Sequence, residues 1–153
     1  MIQPLALPKA NLRLTRKEDA IFVWCIARKK TLLLTPEEWV RQHIIHYLVT
    51  HKNVPLGLLA SEYAIKVNKL ARRCDIVVFG TDQKPKLIVE CKSPQVAINH
   101  SVLHQVSQYN FQLNVDYLFL TNGLRHVNCM INRIKNTLDF LEEIPDFSIL
   151  NAQ

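Results

Sequence analysis

The segment LIVECKS, residues 87–93, constrains this chain most tightly, because it reads as a buried central strand and yet carries two charges, Glu90 and Lys92. Burial of an unpaired charge is expensive. The i, i+2 spacing puts both side chains on one face of a strand and leaves Val89 and Cys91 to pack on the other. A second carboxylate, Asp75, opens the apolar run DIVVF and fits beside Glu90 on a preceding strand.

Two carboxylates so placed repel each other unless a positive charge lies between them. A hard divalent cation, Mg²⁺ or Mn²⁺, meets that need, since such ions are held by one or two carboxylates plus water and phosphate oxygens. Asp75, Glu90 and the carbonyl of Cys91 are therefore the candidate metal ligands. A cation there would activate water against a phosphodiester, with Lys92 orienting that water or neutralising the transition state. The competing reading is a solvated edge strand on which Glu90 and Lys92 pair with each other and Asp75 has no special part.

The rest of the chain frames this segment as part of one α/β domain over residues 1–153. With 48% hydrophobic and 21% charged residues, the composition excludes disorder and coiled coil. Nineteen Lys and Arg against thirteen Asp and Glu give a formal charge of +6, which favours a phosphate-rich partner without requiring one. Cys25, Cys74, Cys91 and Cys129 never form C-x-x-C and are expected as reduced, buried thiols. No run of about 18 apolar residues spans a membrane, and the first residues lack the pattern of a secretory signal. A cytoplasmic setting is expected.

Periodicity and turn residues divide the chain into elements. Residues 1–33 read as an N-terminal hairpin, with runs at Asn11–Leu14 and Ala20–Ala27 flanking TRKED. Thr35-Pro36-Glu37-Glu38 opens a helix running to about Thr50, with Thr35 as N-cap and Glu38 closing a capping box. Strands follow at Leu58–Val67, Arg73–Phe79 and Lys86–Lys92, then a helix over Ile98–Leu113. Asp116–Leu120 and Arg125–Ile131 are strands joined around Asn122-Gly123. Within the remaining residues, 132–153, Asn136–Ile144 reads as a short helix stopped by Pro145. The core, 34–131, is then helix, three strands, helix, strand around a mixed sheet.

Asp75, fourteen intervening residues and Glu90-Cys91-Lys92, in that element order, resemble the core of the PD-(D/E)XK nuclease superfamily. The blocks TPEEWVRQ, RRCDIVVFG, LIVECKSP and YLFLTNG together resemble the N-terminal nuclease domain of type I restriction enzyme R subunits and its short stand-alone relatives, over Leu34 to Ile131. Cys74 stands where the superfamily's name has proline, as is common in this branch. The resemblance implies a restriction-endonuclease-like core and Mg²⁺-dependent cleavage of DNA, with Asp75 and Glu90 as metal ligands and Lys92 as catalytic lysine. It adds Gln105 and Tyr109, a Q-x-x-x-Y pair on one helix face expected to lie on a buried stripe, and a first-helix glutamate. Glu37 is the better candidate for that acid, Glu38 being accounted for by capping.

Arg41, Arg72 and Arg73, with Lys66, Lys69 and Lys84, are candidate phosphate contacts around the cleft, and Glu62 reads as a surface residue or salt-bridge partner. His100 and His104 lack a third ligand and read as a helical surface pair. With three glycines and no G-x-x-x-x-G-K, the chain has no nucleotide-binding loop. It cannot translocate DNA unaided, and motor or specificity subunits are candidate partners beside DNA. The alternative to an enzyme is a nuclease-fold module that holds nucleic acid or a partner protein without cutting.

Overall fold

The computed structural model describes residues 2–152. A leader, residues 2–13, precedes a small antiparallel sheet of β1 (Leu14–Lys17), β2 (Ala20–Cys25) and β3 (Lys30–Leu33), in the order β1-β2-β3. The expected hairpin is thus a three-stranded meander. Its first strand lies later than expected, because the polar Thr15, Arg16 and Lys17 pair with Phe22, Ile21 and Ala20 and the turn falls at Glu18 and Asp19.

Helix α1 (Pro36–His51) starts where the Thr-Pro signal placed it, with Thr35 Oγ1 accepting the backbone N–H of Glu38. Val40 through Ile45 are all buried, so this helix is enclosed on more than one side. Ile44, Ile45 and Leu48 share a core cluster with Ile76, Val78, Leu87, Val89 and Phe119 of the main sheet and with Cys25 of the small one.

The main sheet comprises β4 (Leu59–Val67), β5 (Leu70–Phe79), β6 (Pro85–Cys91), β7 (Tyr117–Thr121), β8 (His126–Asn132) and β9 (Thr137–Leu141), in sequence order. Only β6 and β7 run parallel, joined by the crossover helix α2 (His100–Leu113). Residues alternate across β6: Leu87, Val89 and Cys91 join the α1 cluster, whereas Ile88 packs with Leu113 and Val115 at the end of α2. The mixed central sheet, with helices on both faces, is the expected α/β class.

The C-terminal segment departs from expectation. Residues 137–141 form the edge strand β9 rather than a helix, and α3 (Phe147–Ala152) follows Pro145 instead of preceding it. Asn136 takes a positive φ of 54° and turns the chain back, so that Leu138 and Phe140 pair with Ile131 and Cys129 of β8.

Besides a register shift between Val78 and Phe79 of β5, an irregularity lies inside β4. Among the described residues with positive φ other than glycine, Glu62 (φ 53°) alone is within a strand, whereas the others sit in turns or at helix ends. The β4–β5 ladder passes from Ser61↔Ile76 to Tyr63↔Cys74 without pairing Glu62 to Asp75. The pleat is interrupted on both strands. Leu59 and Ile65, an even number of residues apart, join different core clusters, and so do Cys74 and Ile76. A left-handed glutamate costs about 1–3 kcal/mol, and such strain persists only where the surroundings impose it.

Candidate functional site

The interruption falls where β5 and β6 part. Their last pairs run to Ile76↔Val89, and beyond them β5 continues beside β4 alone, as residues 70–74 pair there. Asp75 occupies the fork. Its Oδ2 accepts the backbone N–H of Cys91 at 2.8 Å, which fixes the carboxylate against the end of β6. Its Oδ1 accepts Arg41 Nη2 of α1 at 3.1 Å.

Glu90, on the face of β6 opposite Val89, is 9% exposed. Its Oε1 lies 2.9 Å from Arg72 Nη2, and its Oε2 is buried with no hydrogen-bond partner among the described residues. Burial, reinforced by the negative charge of Asp75, raises its pKa above the ordinary glutamate value, while Arg72 and Lys92 oppose the rise. The guanidinium of Arg72 in turn lies 3.9 Å from the ring centroid of Tyr109 on α2, a cation–π stack that fixes its plane. A solvated edge strand is thereby excluded: β6 is central, and Glu90 pairs with Arg72 rather than with Lys92. Lys92 follows the strand, half-buried, its backbone N–H held by Thr121 of β7.

Arg41 is the hub on the α1 side. Its guanidinium meets Glu38 at 2.8 Å, Glu37 and Asp75 at 3.1 Å and Glu62 at 3.3 Å. Burial disfavours its charge, but Asp75 and Glu38 outweigh that penalty and its pKa is raised. Glu62 also pairs with Arg28, from the turn after β2, and with Arg73.

Most expected residues converge at this fork: Asp75, Glu90, the backbone of Cys91, Arg41, Arg72 and Tyr109. Two expectations change. Glu38, not Glu37, is the inward acid of α1, because its carboxylate accepts both Arg41 Nη1 and Gln42 Nε2 instead of reaching back to Thr35. Glu37 stays at the rim, its side chain 44% exposed. Gln105 is exposed on α2, so the stripe it shares with half-buried Tyr109 is not buried there. Arg73 is largely exposed, as are Lys66, Lys69 and Lys84, and His100 and His104 form the expected surface pair.

Glu62 acts as the salt-bridge partner expected of it, but inward of the rim, and Arg28 was not foreseen. The Glu38–Arg41–Gln42 spacing held a signal for the first correction, since polar residues three and four apart on a helix meet. Nothing local in the sequence points from Arg28 to Glu62, 34 residues away. All four cysteines are free and buried. Among the described residues, no three His, Cys, Asp or Glu groups are already gathered as a metal cage, and no helix is long and apolar enough to cross a membrane.

No curated protein matches this chain. A solved fragment described as an HsdR subunit of a type I restriction enzyme from Vibrio vulnificus YJ016 is similar at 17% identity and a TM-score of 0.41, over 60% of this chain and 19% of that one. This chain thus spans about a fifth of the length of that relative. The family model described as type I restriction enzyme R protein N terminus (HSDR_N) matches residues 36–145, which run from the start of α1 past β9 and include the whole fork between β5 and β6. The chain belongs to the family of type I restriction enzyme R protein N termini.

Proposed function

We propose that this chain is a metal-dependent nuclease domain of the PD-(D/E)XK type, hydrolysing phosphodiester bonds of DNA at Asp75, Glu90 and Lys92. The observation that carries the reading is that Asp75, fixed at the fork by Cys91, acts electrostatically on a buried Glu90 whose Oε2 has no partner among the described residues. A buried carboxylate oxygen left bare is costly, and two hard oxygens from adjacent strands suit Mg²⁺ or Mn²⁺. Asp75, Glu90 and the carbonyl of Cys91 would hold the ion. When bound, it would supply an activated water and charge stabilisation at the attacked phosphorus.

The chain's own residues divide the remaining tasks. Lys92, whose charge already favours ionised Glu90, would hold a proton-bearing water or a phosphate oxygen. Arg72 keeps Glu90 aimed, and Tyr109 keeps Arg72 in plane. Arg41 neutralises Asp75 until substrate and cation arrive, with Glu38 and Glu37 anchoring that arginine from α1. Gln105, exposed one turn from Tyr109, would meet the strand to be cut, and the exposed Arg73 would meet its phosphates. Within a type I system the domain would work in the cytoplasm together with motor and specificity functions.

A second reading is a non-cutting module that holds DNA or a partner protein. It is favoured by the arginines themselves, because Asp75 and Glu90 are each already neutralised. Incubation of the purified chain with plasmid and single-stranded DNA in Mg²⁺ or Mn²⁺, beside Asp75→Ala and Lys92→Ala, separates the two. Cleavage lost in both variants supports the nuclease. Products that form equally with the variants, or never form while DNA is still bound, leave the module.

A further inference from the structure

Three guanidiniums, Arg28, Arg41 and Arg73, converge on the one carboxylate of Glu62. Several arginines around a pair of oxygens is the arrangement that recognises phosphate, because each planar fork donates two parallel hydrogen bonds. Glu62 meets them from a left-handed backbone inside a strand, opposite Asp75 in the gap of the β4–β5 ladder. A carboxylate on a strained backbone thus occupies an anion's place. Arg28 comes from the small N-terminal sheet, outside the matched residues 36–145, so that sheet completes the cleft.

We propose that Arg28, Arg41 and Arg73 form a subsite for a DNA backbone phosphate next to the one under attack, and that Glu62 occupies it as an internal stand-in until DNA displaces it. This deepens the nuclease reading and rests on it for the direction of the strand. The three groups differ in access as the role requires. Arg41 is sealed at 7% side-chain exposure, Arg28 and Glu62 are reachable at 24%, and Arg73 stands open at 66%. A phosphate can therefore enter from the Arg73 side, and the carboxylate can leave to solvent. Because the latched form cannot bind, the apparent affinity is lowered by the fraction of unlatched protein.

The test is fluorescence anisotropy with a labelled DNA duplex in EDTA, where cutting is absent, across a salt series. Glu62→Gln and Glu62→Gly are compared, since glycine keeps the positive φ without strain and protects the fold. Glu142→Gln, on an exposed residue just after β9 and so at the far edge of the sheet, matches the change in charge. Both Glu62 variants should bind at least about threefold more tightly than wild type, and more tightly than the Glu142 control. Arg28→Ala and Arg73→Ala should each weaken binding and flatten the log–log salt dependence by about one.

Equal affinity in wild type, both Glu62 variants and the control overturns the proposal, as does an unchanged salt slope in Arg28→Ala. Inorganic phosphate at constant ionic strength is the second probe. If it stabilises Glu62→Gly against heat while DNA affinity stays at the control level, the subsite takes the free ion and the DNA assignment falls. Cleavage in Mg²⁺ is scored separately. Tighter binding without any cleavage upholds the subsite and removes the nuclease reading, and cleavage with no gain in affinity does the reverse.

Discussion

Arg41 donates from Nη2 to Asp75 Oδ1 across 3.1 Å, so a fixed guanidinium from α1 balances the aspartate that β5 presents at the fork. The same side chain answers Glu38, Glu37 and Glu62. One buried cation therefore supports four carboxylates. In a low-dielectric interior such a hub holds the site together while its charges remain hydrogen-bonded, and it also competes with any cation that approaches Asp75.

Removing that hub should unbalance the site. Arg41→Ala leaves the four carboxylates facing one another, and breaking a buried ion pair from one side costs about 3–5 kcal/mol. The variant should melt well below wild type in EDTA. Millimolar Mg²⁺ or Mn²⁺ should restore more of its melting temperature than it adds to wild type, because the ion then supplies the missing charge. A melting curve with no differential response to metal would contradict a cation site at Asp75.

The raised pKa of Glu90 has a direction that can be followed with pH. Burial, with the charge of Asp75, lifts it above its ordinary value of 4.5. The folded protein then holds this proton more tightly than the unfolded chain does, so the contribution to stability is present below 4.5 and is lost as pH rises through the higher folded value. The difference in stability between wild type and Glu90→Gln should fall across that window and level off above it. Metal affinity runs the opposite way, since the ion requires the carboxylate. Mg²⁺ binding by calorimetry should weaken on acidification at a pH above the ordinary glutamate range, and a flat profile there would remove Glu90 from the ligand set.

Much of this site was legible in the sequence because its members lie on short periodic runs. Alternation in LIVEC and the apolar run DIVVF place Glu90 and Asp75 on strands, and β5 and β6 form as their turns require, with Lys92 just beyond the end of β6. What escaped is non-local or non-periodic. The αL residue at Glu62 breaks the alternation that strand reading assumes, and Arg28 reaches it from another sheet. Glu38 reads as a capping residue because the same Thr-x-x-Glu spacing serves a capping box or an inward acid, and the choice depends on Arg41 and Gln42. Asn136–Ile144 reads as helix because nothing at Asn136 signals that it turns the chain back along β8.

Gly123 ties the leader to the site. It takes φ 83° in the β7–β8 turn, its carbonyl accepts the N–H of Ala6 at 2.8 Å, and a Cβ there would meet Leu5 Cδ2 at 2.8 Å and Val40 Cγ2 at 3.0 Å. Gly123→Ala should therefore cost about 1–3 kcal/mol through backbone strain and push Leu5 off α1. The leader should become protease-sensitive before the rest of the domain unfolds. Limited proteolysis followed by mass spectrometry reads this directly, and an unchanged cleavage pattern would show that the leader is held by its other bonds, Trp39 Nε1 to the Gln3 carbonyl and His126 to the Ala6 carbonyl.

Tyr109 offers a positioning role that can be separated from packing. Its ring lies 3.9 Å from the Arg72 guanidinium, which holds Glu90 Oε1 at 2.9 Å. The contact uses the face of the ring, and a desolvated cation–π pair contributes about 1–2 kcal/mol. Tyr109→Phe keeps that face and should leave the site intact. Tyr109→Leu keeps bulk but loses the stack, so Arg72 gains freedom and withdraws part of the charge that holds Glu90 ionised. The acid limb of metal binding, and of cleavage, should then move to higher pH in Tyr109→Leu alone, because less of the Arg72 charge opposes protonation of Glu90. A purely structural tyrosine would lower the melting temperature of the leucine variant and leave the pH profile in place, because packing loss has no reason to single out the protonation of Glu90.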